Sequence, residues 1–268
     1  MVGAGRARRC AVALSPAGGA YARMADVWAT DAALVYGPMA RHLIDAGPAD
    51  LRGVVALDAG AGPGVAGDVL WARGARVVAV DCEIDMASAC AGPAAVGDVT
   101  ALPFRTGSFG IVVAAFVVNH LPDPVAGLAE LRRVTRRGGA VLVSSFSDTR
   151  AGAKSTVDAA AAAYGYVPPG WYADLQTCAR GVGSAGAVER ALRAAGFARW
   201  TVTEDAVDVG LGDAADVVRY RLAVPHLHRF AAGLSAGARA AFVADATAAV
   251  RATRERFTPV VVEAVAIA

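Results

Sequence analysis

Asp58-Ala-Gly60-Ala-Gly62-Pro-Gly64 limits the folds open to this chain more than any other stretch. It follows the short β-branched run Val54 to Leu57 and precedes helical spacing through Val65 to Ala72. Glycines at such a turn let the backbone bend tightly and approach a ligand with no Cβ in the way. The helix start beyond offers unpaired N–H groups that favour an anion. A glycine-rich turn by itself recurs in many folds, so the surrounding pattern has to decide.

That pattern is an alternation of strands and helices. Arg76 to Val80 reads as a second strand ending at Asp81, followed by a helix from about Ile84 to Cys90. Val96 opens a brief third strand that closes at Asp98. Ile111 to Val118 is fully apolar, as expected of a strand buried on both faces of a parallel sheet. Pro124 to Thr135 reads as a helix stopped by Gly138–Gly139, and Ala140 to Phe146 as a fifth strand. Such βαβα order implies a doubly wound parallel sheet. Beyond Asp148 the rhythm loosens. Helices are expected at Val157 to Tyr164, Val188 to Ala195, Asp213 to Val224 and Ala236 to Arg254, with strands at Trp200 to Val209 and Val260 to Ile267. Pro168–Pro169–Gly170 and Pro225 act as breaks.

Three features make the glycine turn specific. Asp81 ends the next strand, where a carboxylate can accept hydrogen bonds from two ribose hydroxyls. Gly97-Asp98 ends the third strand, within reach of an adenine amino group. The glycine spacing is not that of dinucleotide enzymes, whose third small residue would fall at Val65. This opposes a nucleotide-dependent oxidoreductase.

The ordered set Leu57-Asp58-Ala-Gly60-Ala-Gly62-Pro-Gly64, Val80-Asp81, Gly97-Asp98-Val99-Thr100-Ala-Leu102-Pro103-Phe104, Ser108-Phe109, Asn119-His120-Leu121-Pro122-Asp123, Glu130-Leu-Arg132-Arg133-Val134 and Arg137-Gly138-Gly139 resembles class I S-adenosylmethionine-dependent methyltransferases. The resemblance is greatest to the branch of ubiquinone/menaquinone C-methyltransferases and natural-product methyltransferases, and it covers about residues 20 to 147. It implies S-adenosyl-L-methionine as cofactor and S-adenosyl-L-homocysteine as product. By resemblance, the backbone around Ala59, Gly60 and Gly62 cradles the methionine moiety, next to Asp58. Asp81 holds the ribose, Cys82 and Met86 flank the adenine, and Gly97, Asp98 and Val99 meet its edge. Ala115 and Phe116 line the methionine end. Tyr21, on an N-terminal helix with Met24 and Trp28, closes over the cofactor. The family's acidic residue after Ser-Phe is replaced here by Gly110.

The expected fold class is α/β: a Rossmann-like, doubly wound, seven-stranded, mostly parallel sheet, its last strand antiparallel, with helical lid insertions. A single domain over 1–268 is expected, with a helical cap at 1–50, a cofactor-binding core at 51–147, and substrate-side insertions and final strands at 148–268. The leader and the segments at about 148–184 and 210–235 should roof the site.

Plainer readings stand beside several of these. Asp58 either serves the cofactor site or caps the glycine turn. Cys82 either touches adenine or simply packs. His120, just past the fourth strand, is the candidate catalytic base, and equally a backbone partner or helix cap. Trp28, Trp171, Tyr172, Tyr220, His226 and His228 are the candidates for binding the acceptor. Arg219 and Arg221 read as solvated charges.

Composition narrows the partners. The formal charge of +2 provides no basic field for nucleic acid. No apolar run approaches the roughly 18 to 20 residues that span a bilayer. Arg6, Arg8 and Arg9 before Cys10 to Leu14 read as a flexible cytosolic leader, too short in its apolar part for a signal peptide. Cys10, Cys82, Cys90 and Cys178 and the four histidines lack metal-ligand spacing, so no metal is expected. The expectation is a cytoplasmic monomer or homodimer that methylates a small, fairly apolar acceptor, a secondary metabolite or quinone-like compound, on oxygen, carbon or nitrogen. The alternative is a methyltransferase-fold protein that catalyses a cyclisation around a structural cofactor.

Overall fold

The computed structural model describes residues 19–149 and 152–268. The leader at Arg6 to Leu14, Cys10 included, lies outside the described residues. After a turn at 19–23, a short helix α1 (Ala25–Val27) runs through a wide π turn (Trp28–Ala32) into α2 (Ala33–Asp45). The core follows as β1 (Val55–Ala59), α3 (Val65–Ala72), β2 (Arg76–Asp81), α4 (Ile84–Ala89), β3 (Ala94–Val96), β4 (Phe109–Ala115), a 3₁₀ turn (Val118–His120), α5 (Pro124–Val134) and β5 (Thr135–Phe146). The second half adds α6 (Gly152–Ala162), α7 (Gly170–Arg180), α8 (Ala185–Ala194), β6 (Arg199–Ala206), α9 (Ala214–Ala223), α10 (Pro225–Gly233), α11 (Ala236–Thr253) and β7 (Val260–Ile267).

The seven strands form one sheet in the order β3-β2-β1-β4-β5-β7-β6. β7 alone runs antiparallel to its neighbours, pairing β5 from Ala140↔Ile267 to Phe146↔Val261 and β6 from Arg199↔Ile267 to Ala206↔Val260. The expected architecture is therefore present. Its central strands are apolar on both faces because helices cover both. On one face Leu128 and Leu131 of α5 and Val188 and Leu192 of α8 bury Leu57, Val112 and Val141. On the other, Leu43 and Ile44 of α2 and Leu70 of α3 bury Ile111, Val113 and Leu142. α6, α9, α10 and α11 build a third apolar cluster with Phe116 above the carboxyl ends of the strands. β6 lies at the sheet edge and carries Arg199, Thr201, Thr203, Glu204 and Asp205, a polar load suited to an exposed edge.

Several boundaries differ from the sequence expectation. β3 ends at Val96, so Gly97 and Asp98 lie just beyond the strand, with Asp98 bridging Ala101. β4 stops at Ala115 instead of running to Val118, because Phe116 turns the chain with φ 58°. β5 starts at Thr135 and carries Gly138–Gly139 inside an irregularity against Phe109 and Ile111. A Cβ on Gly139 would lie 2.7 Å from the Gly110 carbonyl oxygen, so Gly139 marks a close strand approach, while Gly138 turns the chain at φ 76°; α5 has already ended at Val134, so neither is a helix stop. Pro225 opens α10 at its first turn, where a missing N–H costs nothing. Tyr21 sits in the turn before α1 and not on a helix.

Candidate active site

The carboxyl ends of β1, β2 and β4 and the loop after β3 open into one cavity of about 330 Å³. This is where ligands bind in open α/β sheets. The glycine turn forms its floor. Gly60 has φ 67°, and a Cβ there would collide with the Val117 side chain. Gly62 has φ 56°, and a Cβ there would meet no atom within 4 Å, only open space. One glycine is required for packing, the other for room. The Gly60 and Ala61 N–H groups both donate to the Val80 carbonyl, at 2.7 and 3.0 Å, which ties the turn to β2.

Two carboxylates fix the turn. Asp58 is fully buried and accepts from the Gly67 N–H at 2.7 Å, holding the first turn of α3. Burial pushes its pKa up to about 7, with Asp81 and Asp68 adding to the rise. Its bond to Gly67 ties the strand end before the glycine turn to α3, and the residue also lines the cavity. Asp81 accepts from the Gly62 N–H at 2.8 Å through Oδ2 and from the Glu83 N–H at 2.9 Å through Oδ1. An ionised carboxylate has about four acceptor positions, so each oxygen keeps one for a ligand. Burial raises its pKa, while the two backbone donors act against that rise. Asp98 binds the Thr100 N–H and Oγ1 through Oδ1, both at 2.8 Å.

The loop after β3 is clamped from behind. Glu130 Oε1 accepts from the Leu102 N–H at 2.8 Å and from Arg133 Nη2 at 2.7 Å. Arg133 Nη1 donates to the Phe104 carbonyl at 2.9 Å. These bonds give the Glu130-Leu-Arg132-Arg133 run a structural purpose: α5 sets the loop that carries Asp98 to the cavity.

The N-terminal turn covers the cavity. The Gly19 N–H donates to Glu83 Oε1 and the Arg23 N–H to Asp85 Oδ2, both at 2.9 Å. Arg229 of α10 donates to the Gly19 carbonyl at 2.7 Å from the other side. Tyr21 packs edge-on to Trp28 at 5.5 Å and stacks on His120 at 5.7 Å. Burial pushes the Tyr21 phenol well up and the His120 imidazole down to about 4. His120 is therefore neutral at pH 7. Trp28 Nε1 is buried with no hydrogen-bond partner, an unused donor on a side chain that lines the cavity.

Of the residues singled out from sequence, Tyr21, Asp58, Gly60, Gly62, Asp81, Cys82, Met86, Gly97, Asp98, Val99, Ala115, Phe116, His120 and Trp28 all line this cavity. Ala59 does not. It is the last residue of β1, pairs with Val80 and points into the core. The other acceptor candidates lie away from it as well. Tyr220 is a core residue beside Tyr36 and Phe257. Trp171 and Tyr172 sit on α7, packed with Ala20, Tyr21 and Leu175. Tyr172 stacks on His226 at 3.7 Å, and His226 Nδ1 bonds the Tyr166 hydroxyl at 2.7 Å. His228 Nδ1 faces the Leu222 carbonyl at 3.2 Å. Arg221 is buried against Asp158, contrary to the solvated charge expected, while Arg219 is half exposed beside Asp31 and Asp216. Sequence reasoning missed Glu83, Val117, Leu121 and Tyr36 as wall residues. For Tyr36 the helical spacing of α2 was available, but nothing local shows which face meets the sheet. Among the described residues no group of three or more His, Cys, Asp or Glu is placed to hold a metal ion, and no helix is long and apolar enough to cross a membrane.

Residues 57–143, from β1 to β5, match the sequence profile of a family described as a methyltransferase domain. That match covers about a third of the chain. It ends before the roof of the cavity is complete. A demethylmenaquinone methyltransferase of Mycolicibacterium gilvum is 39% identical over 120 residues, which are 44% of this chain and 51% of that protein. The chain thus spans about half the length of this curated relative. Among solved structures, a phosphoethanolamine N-methyltransferase of Haemonchus contortus with S-adenosylhomocysteine superposes with a TM-score of 0.56 at 15% identity, over 85% of this chain and 52% of that one. The [4+2]-cyclase SpnF superposes with a TM-score of 0.52 at 18% identity, over 86% of this chain and 80% of that one. At such identities the methyltransferase fold is shared, and nothing finer.

Proposed function

We propose that this protein binds S-adenosylmethionine in the glycine-turn cavity and transfers its methyl group to a small-molecule acceptor. The observation that carries the reading is the convergence of open space above Gly62, the half-used Asp81 carboxylate and the Asp98 loop in one cavity. The residues fit the cofactor. Asp81 would accept the ribose hydroxyls, Cys82, Met86, Asp98 and Val99 would surround the adenine, and Gly60 and Gly62 would leave room for the methionine tail. Tyr21, Ala115 and Phe116 would enclose the sulfonium end.

The bound cofactor supplies an activated methyl group. The protein's own work is then to align the acceptor and exclude water. The tethered turn at 19–23 suits the second task, because its Tyr21, packed edge-on to Trp28, lines the cavity with aromatic surface. His120, neutral and stacked on Tyr21, can accept one hydrogen bond from the acceptor. With a pKa near 4 it is a weak base, so positioning is the role that fits it best.

A quinone-like or other aromatic acceptor is the finer reading. Its support is the similarity to demethylmenaquinone methyltransferases and the aromatic wall of Trp28, Tyr36 and Phe116. Incubation with methyl-labelled cofactor and a panel of hydroxylated aromatic compounds, read by mass spectrometry, should yield a labelled product. A product rearranged but unlabelled would favour the cyclisation reading instead.

A further inference from the structure

Behind the aromatic end of the cavity lies a second group of side chains, contributed by α6, α9 and α10. Arg221 on α9 is buried and donates from Nη2 to Asp158 of α6 at 2.6 Å. Its Nε has no hydrogen-bond partner. Lys154, one α-helical turn before Asp158, is the only lysine in the sequence. Its Nζ sits 3.0 Å from the centre of the Phe146 ring, and among the described residues it has no carboxylate partner. Phe146 packs on Phe116 at 4.6 Å and on Tyr36 at 6.1 Å. Phe116 and Tyr36 line the cavity, so this group is one side chain removed from it.

Two cations here share one carboxylate. The groups facing them add no negative charge. His226 of α10 is held neutral, its pKa pushed down to about 3 by burial and by Arg221. Burial pushes the phenols of Tyr36, Tyr166 and Tyr220 upward, so they stay protonated. Burial and the Arg221 charge both disfavour the Lys154 ammonium. Arg221 is buried and Lys154 partly so; a charge withdrawn from water without a partner is costly, and an apolar side chain would fill the same space without that cost. Ion pairing with Asp158 explains Arg221. It does not explain Lys154, nor the unused Arg221 Nε.

We propose that Lys154 and Arg221 are the docking point for an acidic oxygen of the acceptor, a carboxylate or an ionised phenol or enol. The inference rests on the methyltransferase reading and narrows its substrate class. The anion would balance the second cation, and Tyr36, Phe116 and Phe146 would hold the adjoining ring. The atom to be methylated would then lie toward Phe116, between this anchor and the cofactor cavity.

The single lysine makes the test direct. Protein labelled with ¹³C at lysine Cε gives one side-chain signal, which can be followed with S-adenosylhomocysteine present. Benzoate and 4-nitrophenolate serve as the two anionic probes, and benzamide as the neutral match for benzoate. At least one anion should move the Lys154 signal saturably and raise its titration midpoint, with benzamide inert. The anion that binds identifies the acidic group preferred. Lys154→Met should weaken that binding about tenfold or more by calorimetry, as expected for a charge-assisted contact. The double variant Arg221→Met/Asp158→Leu, which removes the pair together, should do the same. Affinity for S-adenosylhomocysteine should be unchanged in both. If the double variant does not fold, Lys154→Met decides alone. Equal responses to benzoate and benzamide, no saturable response to either anion, or unchanged anion affinity in Lys154→Met would overturn the proposal. If wild-type protein instead fails to bind S-adenosylhomocysteine, the methyltransferase reading falls, and the lysine signal still reports on the anion site.

Discussion

The floor and the roof of this molecule's cavity are built by different means. The floor is made of backbone and short side chains at strand ends: Gly60, Gly62, Asp81 and Asp98, each bonded to atoms within about 20 residues in sequence. The roof is made of long side chains that meet across the chain. Arg221 finds Asp158, Tyr166 finds His226, and Arg229 finds the turn at Gly19. A floor of that kind depends on local spacing. A roof of that kind depends on tertiary packing, and its charges are more exposed to the cost of a lost partner. The comparison predicts where substitutions hurt folding and where they hurt binding.

The largest effect should come from the roof. Asp158→Ala would leave Arg221 buried without its ion-pair partner, which costs about 3 kcal/mol or more. Chemical denaturation should show that loss, and a loss below 1 kcal/mol, on the order of a surface pair, would mean the roof is looser than its geometry implies.

Next comes the floor itself. Gly60→Ala adds a Cβ against Val117 at a positive φ, and about 2–4 kcal/mol of destabilisation is expected. Gly62→Ala meets no protein atom and should cost only about 1 kcal/mol, the backbone penalty alone. It should nevertheless weaken cofactor binding, because its methyl points into the cavity. Equal stability losses in the two variants would erase the distinction between packing and room.

His120→Ala should lower turnover by about tenfold and by a similar factor from pH 6 to pH 8, since a group with pKa near 4 does not change charge there. A loss of about 10² or more that recovers at alkaline pH would make it a base.

The buried acid of the floor adds a pH dependence. Asp58 has a folded pKa near 7 against an unfolded value of about 4, so the folded state binds the extra proton between those values. Its contribution to stability should fall as pH rises from about 4 to 7. Asp58→Asn can still accept from Gly67 and should lose that dependence. The difference in melting temperature between the two proteins should therefore move in favour of the variant across this window, and parallel curves would refute the buried, protonated carboxyl.

How far the sequence could be read follows the same division. α3 at Val65–Ala72 and β7 at Val260–Ile267 sit where the residue pattern put them, because each has an unbroken apolar period. β4 ended early because the left-handed turn at Phe116 depends on the cavity wall and not on local propensity. The glycine-turn residues reached one cavity because backbone spacing alone sets their positions. Tyr220, His228 and Arg221 were misplaced for the opposite reason. On a helix, exposure depends on which neighbours pack against it, and α6, α9 and α10 have little periodic contrast to reveal that. Lys154 and Phe146 carry no local signal at all: their juxtaposition exists only after α6 folds back over the end of β5.

The central claim is that the floor binds the cofactor through Asp81. Calorimetric titration of S-adenosylhomocysteine into wild-type protein and into Asp81→Ala tests it most directly. Wild type should bind, and the variant should lose about 1.5 kcal/mol or more, the worth of hydrogen bonds to a charged group. Unchanged affinity in Asp81→Ala, or no binding by the wild type, would contradict it.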